Sequence, residues 1–317
     1  MRQTVRRNLP GSESPWPHRL AVLTAGATFL LILAGGLVTN TGAGLAVPDW
    51  PTTFGHNMFL YPWSKMVGGV FYEHSHRLIG SVVGLLTLAL TLSLWLGEPR
   101  RWLRWLGALA LGAVILQGVL GGLRVILVQD TLAIVHGVLA QAFFGLTASL
   151  ALFTSREWNV EPRALHGEAA GPLFRWCALT TAAISLQILF GALLTHVGKR
   201  LDAHLVLATL IALVVPNLAA RVRARHADRG ELVRPVVLLC GLLILQLLVG
   251  LGAYAARFTS VPLPLPSILV LALPVSHRLV GGLLLVTSLL LTLRAYRLRS
   301  WARPAESGRS LPERVPA

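Results

Sequence analysis

The chain has 317 residues, of which 54% are hydrophobic and only 13% are charged, and its mean hydropathy is +0.66. This composition excludes an ordinary soluble domain. The net charge of +15 suggests nucleic-acid binding as an alternative, but the arginines are spread over short loops and form no aromatic-interleaved basic patch. The composition therefore predicts an integral membrane protein that contacts the lipid bilayer and does not bind nucleic acid.

Eight apolar segments are each long enough to cross a hydrocarbon core of about 30 Å at roughly 1.5 Å per helical residue. Such segments are predicted to be α-helices, because hydrocarbon offers no partner to an unpaired backbone group. In chain order they cover residues 20–38, 77–96, 105–125, 131–153, 174–196, 203–220, 235–256 and 274–294. The predicted fold is an all-α integral membrane protein with eight transmembrane helices.

The basic residues predict the orientation of these helices, since Lys and Arg accumulate in cytoplasmic loops. Of the 28 basic residues, 21 fall on the side that holds both termini. Both termini are therefore predicted to be cytoplasmic. Cys177 and Cys240 lie near the same side, where the compartment is reducing, so no disulfide is expected between them.

A pattern recurs with a period of two helices. Helices 3, 5 and 7 carry the motif Gln-x-x-x-Gly, as Gln117 and Gly121, Gln187 and Gly191, and Gln246 and Gly250. Helix 1 has Leu31 and Gly35 at the same spacing. The even helices instead carry one histidine each near the outer end: His76, His136, His204 and His277. The segments HRLIG (76–80) and HRLVG (277–281) match at four of five positions.

This recurrence predicts a duplicated unit, with two pseudo-symmetric four-helix bundles. Residues 1–19 form a cytoplasmic flank and residues 297–317 a cytoplasmic tail. The bundles themselves cover residues 20–153 and 174–296, and a cytoplasmic linker at 154–173 joins them.

Each feature of the pattern has a structural and a functional interpretation. The glycines can simply allow close helix packing and the glutamines can bond across interfaces, while a single boundary histidine can be an interfacial anchor. Four histidines in register favour metal ligands. Zinc or copper would more often recruit thiolate, carboxylate or methionine ligands, whereas two facing histidines per bundle suit the axial positions of a haem. Arg77 and Arg278 directly follow candidate ligands and either pair with haem propionates or extend to the interface.

Several motifs in order resemble the haem A synthase family across residues 19 to 297. They are NTGAGLAVPDWPTTFG (40–55), EHSHRLIG (73–80), QGVLGGLRV with the later HGVLAQ, LTHVG with DAHL, and SHRLVGG. Some family members carry cysteine pairs in the outer loops after helices 1 and 5. This chain has Val47 and Thr53 in the first of those frames and no cysteine after helix 5, so it resembles the cysteine-free type.

The resemblance implies that His204 and His277 ligate haem b in the C-terminal bundle, while His76 and His136 flank the substrate haem O in the N-terminal bundle. It further implies oxidation of the methyl group at ring position 8 of haem O, through an alcohol and a hydrated aldehyde, to the formyl group of haem A. The candidate partners are a haem O synthase, an electron acceptor and a second copy of the chain. The expected location is a bacterial cytoplasmic membrane.

Glu73 is the candidate acid/base or cation-stabilising residue, because a carboxylate three residues before His76 shares its face if the helix extends back by one turn. The alternative is an acid that stabilises a helix N-terminus. His74 is off that face and is expected either to be exposed to solvent or to make a secondary contact. Asp49 and Trp50 either cap the substrate pocket or anchor the loop at the interface.

Three other classes of protein compete with this interpretation. A di-haem b-type cytochrome that only transfers electrons favours haems near opposite membrane faces, with two histidines well separated along one helix. A haem transporter places its site near the midplane, at broken helices. A haem O synthase needs clustered aspartates, and the four aspartates here are isolated.

Overall fold

The structure, a computed structural model, describes residues 11–12, 14–162, 170–259 and 266–301. Within these ranges the chain forms eight α-helices, each long and apolar enough to cross a membrane, and no β-sheet. The helices are α1 (Trp16–Asn40), α2 (Gly69–Gly97), α3 (Arg101–Leu127), α4 (Asp130–Thr154), α5 (Ala170–Val197), α6 (Leu201–Arg225), α7 (Gly230–Phe258) and α8 (Ser267–Ser300). This confirms the predicted all-α membrane fold. Two short 3₁₀-helices, Met58–Leu60 and Trp63–Lys65, lie between α1 and α2.

Every helix extends beyond the apolar segment that predicted it. Hydropathy identifies only the apolar residues that lie in the hydrocarbon core, whereas the helical backbone hydrogen bonds continue into the interfacial layer. The 34 residues of α8 reach roughly 50 Å at about 1.5 Å each, well over the hydrocarbon thickness. The largest shift is in α2, which begins at Gly69 after Gly68 adopts a φ of 56° that favours glycine. Glu73 and His76 consequently lie inside α2.

The predicted domain boundaries lie partly outside the described residues. Residues 1–10 and 13 of the flank, 163–169 of the linker and 302–317 of the tail are not among them. The helices overlap all three predicted segments. Helix α1 begins at Trp16, within the flank; α5 begins at Ala170, within the linker; and α8 ends at Ser300, within the tail. The division into domains stays a prediction.

The helices pack as two rings of four. In the first ring α1 contacts α2 and α4, while α3 contacts α2 and α4; in the second, α5 and α7 each contact α6 and α8. The rings meet where α8 contacts α1 and α4, and where α4 contacts α5. An internal symmetry relating the rings stays a prediction.

The buried apolar clusters of both bundles begin about two turns beyond the candidate histidines. In each even helix the first buried member of these clusters comes seven residues after the histidine: Val83, Phe143, Ile211 and Leu284. From there the clusters continue toward the end of the bundle where α1 begins, for example to Leu94 and Leu298. The histidines therefore lie in the opposite end of each bundle, in the same register relative to the core.

A contact at the end where α1 begins fixes the two bundles to each other. Arg297 of α8 lies over the Trp158 ring at 4.6 Å and donates to the carbonyl oxygens of Trp158 and Val160 at 2.6 and 2.7 Å. Arg294 pairs with Glu157 at 3.1 Å. The segment after α4 is thus tied to the last helix of the chain.

The outer surfaces of the helices are apolar. Leu85, Leu96 and Leu251 are 67%, 88% and 68% exposed, and many other large apolar side chains are equally accessible. A soluble monomer rarely exposes so much continuous apolar surface. The chain is an integral membrane protein whose helices present this surface to lipid.

Candidate functional site

The structure brings the four repeated histidines together in two pairs, one in each bundle. The ring centroids of His76 and His136 lie 6.5 Å apart, and those of His204 and His277 lie 6.2 Å apart. Imidazole nitrogens bind transition metals at about 2.0–2.1 Å, so two rings that share one metal have centroids roughly 6 Å apart. Both pairs have this spacing.

Each imidazole rests against a glycine of the helix that precedes it in the chain, and we call these four glycines the glycine seats. The seats for His76, His136, His204 and His277 are, in that order, Gly35, Gly121, Gly191 and Gly250. A Cβ atom added at a seat would lie only 2.7–3.3 Å from the Cε1 atom of its histidine, whereas carbon atoms normally keep about 3.5–4.0 Å. The recurring glycines therefore provide the space for the rings, a role that general helix packing does not require.

The contacts of His277 show which ring nitrogen carries the proton and which has the lone pair. Its Nδ1 lies 3.3 Å from the carbonyl oxygen of Gln246, and its Nε2 lies 3.4 Å from the side-chain Nε2 of the same residue. A carbonyl only accepts and an amide nitrogen only donates, so Nδ1 carries the proton and the Nε2 lone pair accepts from the amide. A metal bound at Nε2 would take the place of this amide contact. A backbone carbonyl on the other ring nitrogen is the usual support of a metal-ligating histidine.

The other three histidines each face a backbone carbonyl in the equivalent position of the preceding helix. Their Nδ1 atoms are buried and, within the described part of the chain, form no hydrogen bond of normal geometry. Each ring nevertheless interacts with the carbonyl group of the residue four positions before its seat: Leu31, Gln117 and Gln187. The glutamine-to-glycine spacing in the sequence thus supplies both a carbonyl and a seat to one imidazole.

The number of protein ligands in each pair distinguishes between classes of metal site. In the described ranges no group of three or more His, Cys, Asp or Glu side chains is placed to hold a metal ion. Two protein ligands are too few for a tetrahedral zinc site, but they are the number a haem iron needs, because the porphyrin supplies four nitrogens. The residues present therefore fit one axially ligated haem in each bundle.

Glu73 and Arg77 hold the outer loop between α1 and α2. The carboxylate of Glu73 accepts from the Val47 N–H at 2.9 Å and from Arg77 Nη2 at 2.9 Å. Arg77 also donates to the carbonyl oxygens of Val47, Asp49 and Thr52 at 3.0, 2.8 and 3.0 Å. Removing one partner of such a buried pair typically costs about 3–5 kcal/mol. Contact between Arg77 and a haem propionate stays a prediction. The structure shows in addition that Arg77 anchors the outer loop to α2.

Asp49 orders the tip of the same loop. Its carboxylate accepts from the Phe54 N–H at 2.7 Å, from the Gly55 N–H at 2.9 Å and from the Thr52 hydroxyl. Partial burial opposes ionisation, but the hydrogen bonds from Gly55, Thr52 and Phe54 outweigh it and lower the pKa of Asp49 to about 2. An ionised carboxylate therefore holds this turn at every physiological pH. A role for Asp49 as a cap over substrate stays a prediction.

Two close contacts press the outer loop onto α3. The Trp50 indole lies directly on Gly122, and the Arg124 guanidinium lies on Gly44, whose carbonyl oxygen accepts from Arg124 Nη1 at 3.2 Å. Neither glycine has room for a side chain. Arg124 was missed by the sequence reasoning, although it follows the Gly121 seat by three residues. The loop is thus held between α2 and α3.

Of the two alternatives for His74, exposure to solvent is wrong, and the structure shows contacts to the outer loop instead. His74 is 1% exposed, its Nδ1 lies 3.1 Å from the Thr53 hydroxyl, and its ring centroid lies 5.2 Å from that of Tyr61. The outer loop folds back over this face of α2, a long-range contact that the spacing within α2 cannot reveal. His74 therefore anchors the loop.

Arginines from three helices gather at the outer end, where the bundles meet. Arg278 donates to the Thr39 hydroxyl of α1 at 3.2 Å. Arg124, Arg257 and Arg278 all interact electrostatically with His196 at the end of α5. No carboxylate in the described residues forms an ion pair with these three arginines. Their positive charge is available to an anionic group, and the sequence reasoning had named only Arg278.

The glycine seats lead to a first testable prediction. Gly250→Ala places a Cβ 2.7 Å from Cε1 and 2.9 Å from Nδ1 of His277, so the ring must move and the C-terminal pair loses its spacing. We expect the haem content of the purified variant to fall by at least half, measured by pyridine haemochrome assay per mole of protein.

Gly241→Ala is the matched control for this experiment. It lies in the same helix, and a Cβ added there meets nothing within 4 Å. Both changes raise helix propensity equally, by about 1 kcal/mol. Equal haem contents in the two variants would show that the seat does not position His277.

Comparison with known proteins places this geometry in context. A family model described as cytochrome oxidase assembly protein matches residues 18–203, more than half of the chain. Proteins named haem A synthase are also similar. That of Shouchella clausii is 30% identical over 190 residues, which cover 59% of this chain and 58% of that protein. That of Beijerinckia indica is 31% identical over 213 residues, covering 56% of each. The chain spans about half the length of the curated relatives it matches.

Proposed function

We propose that this chain, which belongs to the cytochrome oxidase assembly protein family, is a haem A synthase that oxidises the position-8 methyl group of haem O to a formyl group. The observation that carries the proposal is the geometry of the two histidine pairs. Both have the spacing of shared metal ligands, both rest on glycine seats and both offer two protein ligands. The names of the similar proteins support the choice of substrate.

In this proposal the two bundles have different tasks. His204 and His277 hold haem b in the C-terminal bundle, with Nε2 of His277 directed by Gln246. When bound, haem b would supply a redox centre for the reaction. His76 and His136 orient the substrate haem O in the N-terminal bundle.

We assign the proton chemistry to Glu73. It is buried in α2 one turn before His76 and its charge is balanced by Arg77. Each of the two oxidations, methyl to alcohol and alcohol to hydrated aldehyde, adds the oxygen of one water molecule, passes two electrons to the electron acceptor and releases two protons. Positive charge develops at the porphyrin edge as the electrons leave, and loss of one water from the hydrated aldehyde gives the formyl group. A fixed carboxylate can accept a proton and stabilise the positive charge.

Propionate binding belongs in this proposal to the arginines at the outer end. Arg278 directly follows the ligand His277 and, with Arg124 and Arg257, forms a group without a carboxylate partner among the described residues. Carboxylates of haem are the anions that such a group accepts. The loop held by Glu73, Asp49 and Trp50 then covers the N-terminal bundle at the same end and limits the access of water.

We further propose that both termini face the cytoplasm and that the membrane is the bacterial cytoplasmic membrane. The end at which α1 begins carries most of the Lys and Arg residues, and the similar proteins come from bacteria. The histidine pairs then lie toward the outer leaflet. A haem O synthase and an electron acceptor are the partners this reaction requires.

The proposal is tested by co-expressing the chain with a haem O synthase and separating the extracted haems by reverse-phase chromatography. We expect haem A to appear only when both proteins are present. The control is the same host with the haem O synthase alone. Recovery of haem O without haem A from aerobic cells that contain the intact chain would contradict the enzyme assignment and favour a di-haem electron-transfer protein.

A further inference from the structure

A groove lined by two tryptophans and two arginines lies at the end of the first bundle where α1 begins. It encloses about 250 Å³ between Trp95 near the end of α2 and Arg101, Arg104 and Trp105 in the first two turns of α3. The two indoles meet edge to face, with ring centroids 5.5 Å apart at 78°. We call it the Trp95–Trp105 groove. None of the histidines or arginines of the candidate site lines it.

The arginines of this groove are not neutralised by the nearest acid. Glu98 is 1% exposed, and both its carboxylate oxygens accept from Arg100, at 2.6 and 2.9 Å. Arg104 uses only Nε to reach the backbone carbonyl of Glu98, at 2.5 Å. Arg101 is exposed and forms no ion pair within the described ranges. Two guanidinium groups are therefore available to an anion.

The second bundle carries a similar arrangement at the same end. Arg221 lies over the Trp176 ring at 4.7 Å, and the two residues line a smaller cleft together with Arg225. The cleft lies between the start of α5 and the end of α6. A tryptophan beside two arginines thus recurs where each bundle reaches the same membrane boundary.

We propose that the Trp95–Trp105 groove binds the phosphate of an anionic phospholipid such as phosphatidylglycerol. The groove opens beside the lipid-facing surface of α2, where Leu96 is 88% exposed, so a lipid reaches it without leaving the bilayer. Arginine matches phosphate oxygens with paired N–H donors, and tryptophan prefers the interfacial layer beside them. A zwitterionic headgroup would bring an ammonium group toward two arginines, and none of the described residues that line the groove is a carboxylate that could pair with it.

The test uses delipidated full-length protein and native mass spectrometry, with separate titrations of phosphatidylglycerol, phosphatidylcholine and inorganic phosphate. The wild-type protein is expected to bind phosphatidylglycerol at least about ten-fold more tightly than phosphatidylcholine, because each arginine near the surface favours an anionic headgroup. Arg101→Gln is expected to weaken phosphatidylglycerol binding about five-fold and to leave phosphatidylcholine binding unchanged.

Arg19→Gln is the matched control. Arg19 is exposed near the start of α1, at the same end of the bundle, and lies 5.6 Å over the Trp16 ring but lines neither groove. Its replacement removes the same charge and is expected to leave phosphatidylglycerol binding unchanged. An equal loss in both variants, equal affinities for the two lipids, or displacement of the lipid by millimolar inorganic phosphate would each overturn the proposal.

Discussion

Replacing His277 with alanine should leave the purified chain without the haem of the C-terminal bundle. The change removes one of the two imidazoles that we propose as ligands in that bundle, together with its contacts to Gln246. We expect the low-spin visible and electron paramagnetic resonance signals of a bis-histidine haem b to disappear. The haem content of protein expressed without a haem O synthase should fall by about ten-fold.

His56→Ala is the control for this prediction. His56 lies exposed on the outer loop, and its ring contacts Tyr61 at a centroid distance of 5.8 Å but none of the four paired histidines. Its loss should leave the spectrum unchanged. An unchanged bis-histidine spectrum in His277→Ala would show that the C-terminal pair does not ligate the haem.

Replacing Glu73 with glutamine should stop conversion of haem O to haem A while leaving haem bound. The glutamine side chain is close to isosteric, and its carbonyl oxygen can still accept from the Val47 N–H or from Arg77. What is lost is the negative charge and the ability to take a proton. We expect haem A yield in the co-expression assay to fall by at least about a hundred-fold, the scale usual for removal of an acid/base group.

Arg77→Gln separates this catalytic role from the positioning of the loop. It breaks the ion pair and three hydrogen bonds to the outer loop but retains the carboxylate. If Glu73 acts only as an anchor, the two variants should lose haem A yield equally and become equally sensitive to protease in the outer loop. If Glu73 acts chemically, Glu73→Gln should keep the loop protected and still lose the product.

The sequence predicted the helices and the histidine pairs because both depend on regular spacing. Hydropathy identifies any apolar stretch that must cross the bilayer, and one histidine per even helix recurs in a common frame. The core shows the same regularity, since Val83, Phe143, Ile211 and Leu284 each follow a histidine by seven residues. The predicted positions of the helix ends were less accurate, because residues in the interfacial layer remain helical although their hydropathy is low.

The contacts of the outer loop could not be predicted because they join residues far apart in the chain. The Glu73 carboxylate meets an N–H 26 residues earlier, and His74 is covered by the same loop. The arginines of the equivalent motifs HRLIG and HRLVG also make different contacts. Arg77 donates to carbonyl oxygens of the outer loop, whereas Arg278 donates to the Thr39 hydroxyl of α1. The role of the glycine seats could not be predicted either, because a glycine against which a neighbouring helix packs and one against which an imidazole packs look identical in sequence.

The seats also bear on how the protein exchanges its ligands. Because each imidazole is positioned by the backbone of a neighbouring helix, the gap between paired rings is preset before any porphyrin arrives. Under the proposed function, a porphyrin would therefore enter a gap whose width is already set by the helix backbones. Under the proposed function, one preset gap would serve both starting material and product, because the two share one macrocycle and differ at a single substituent.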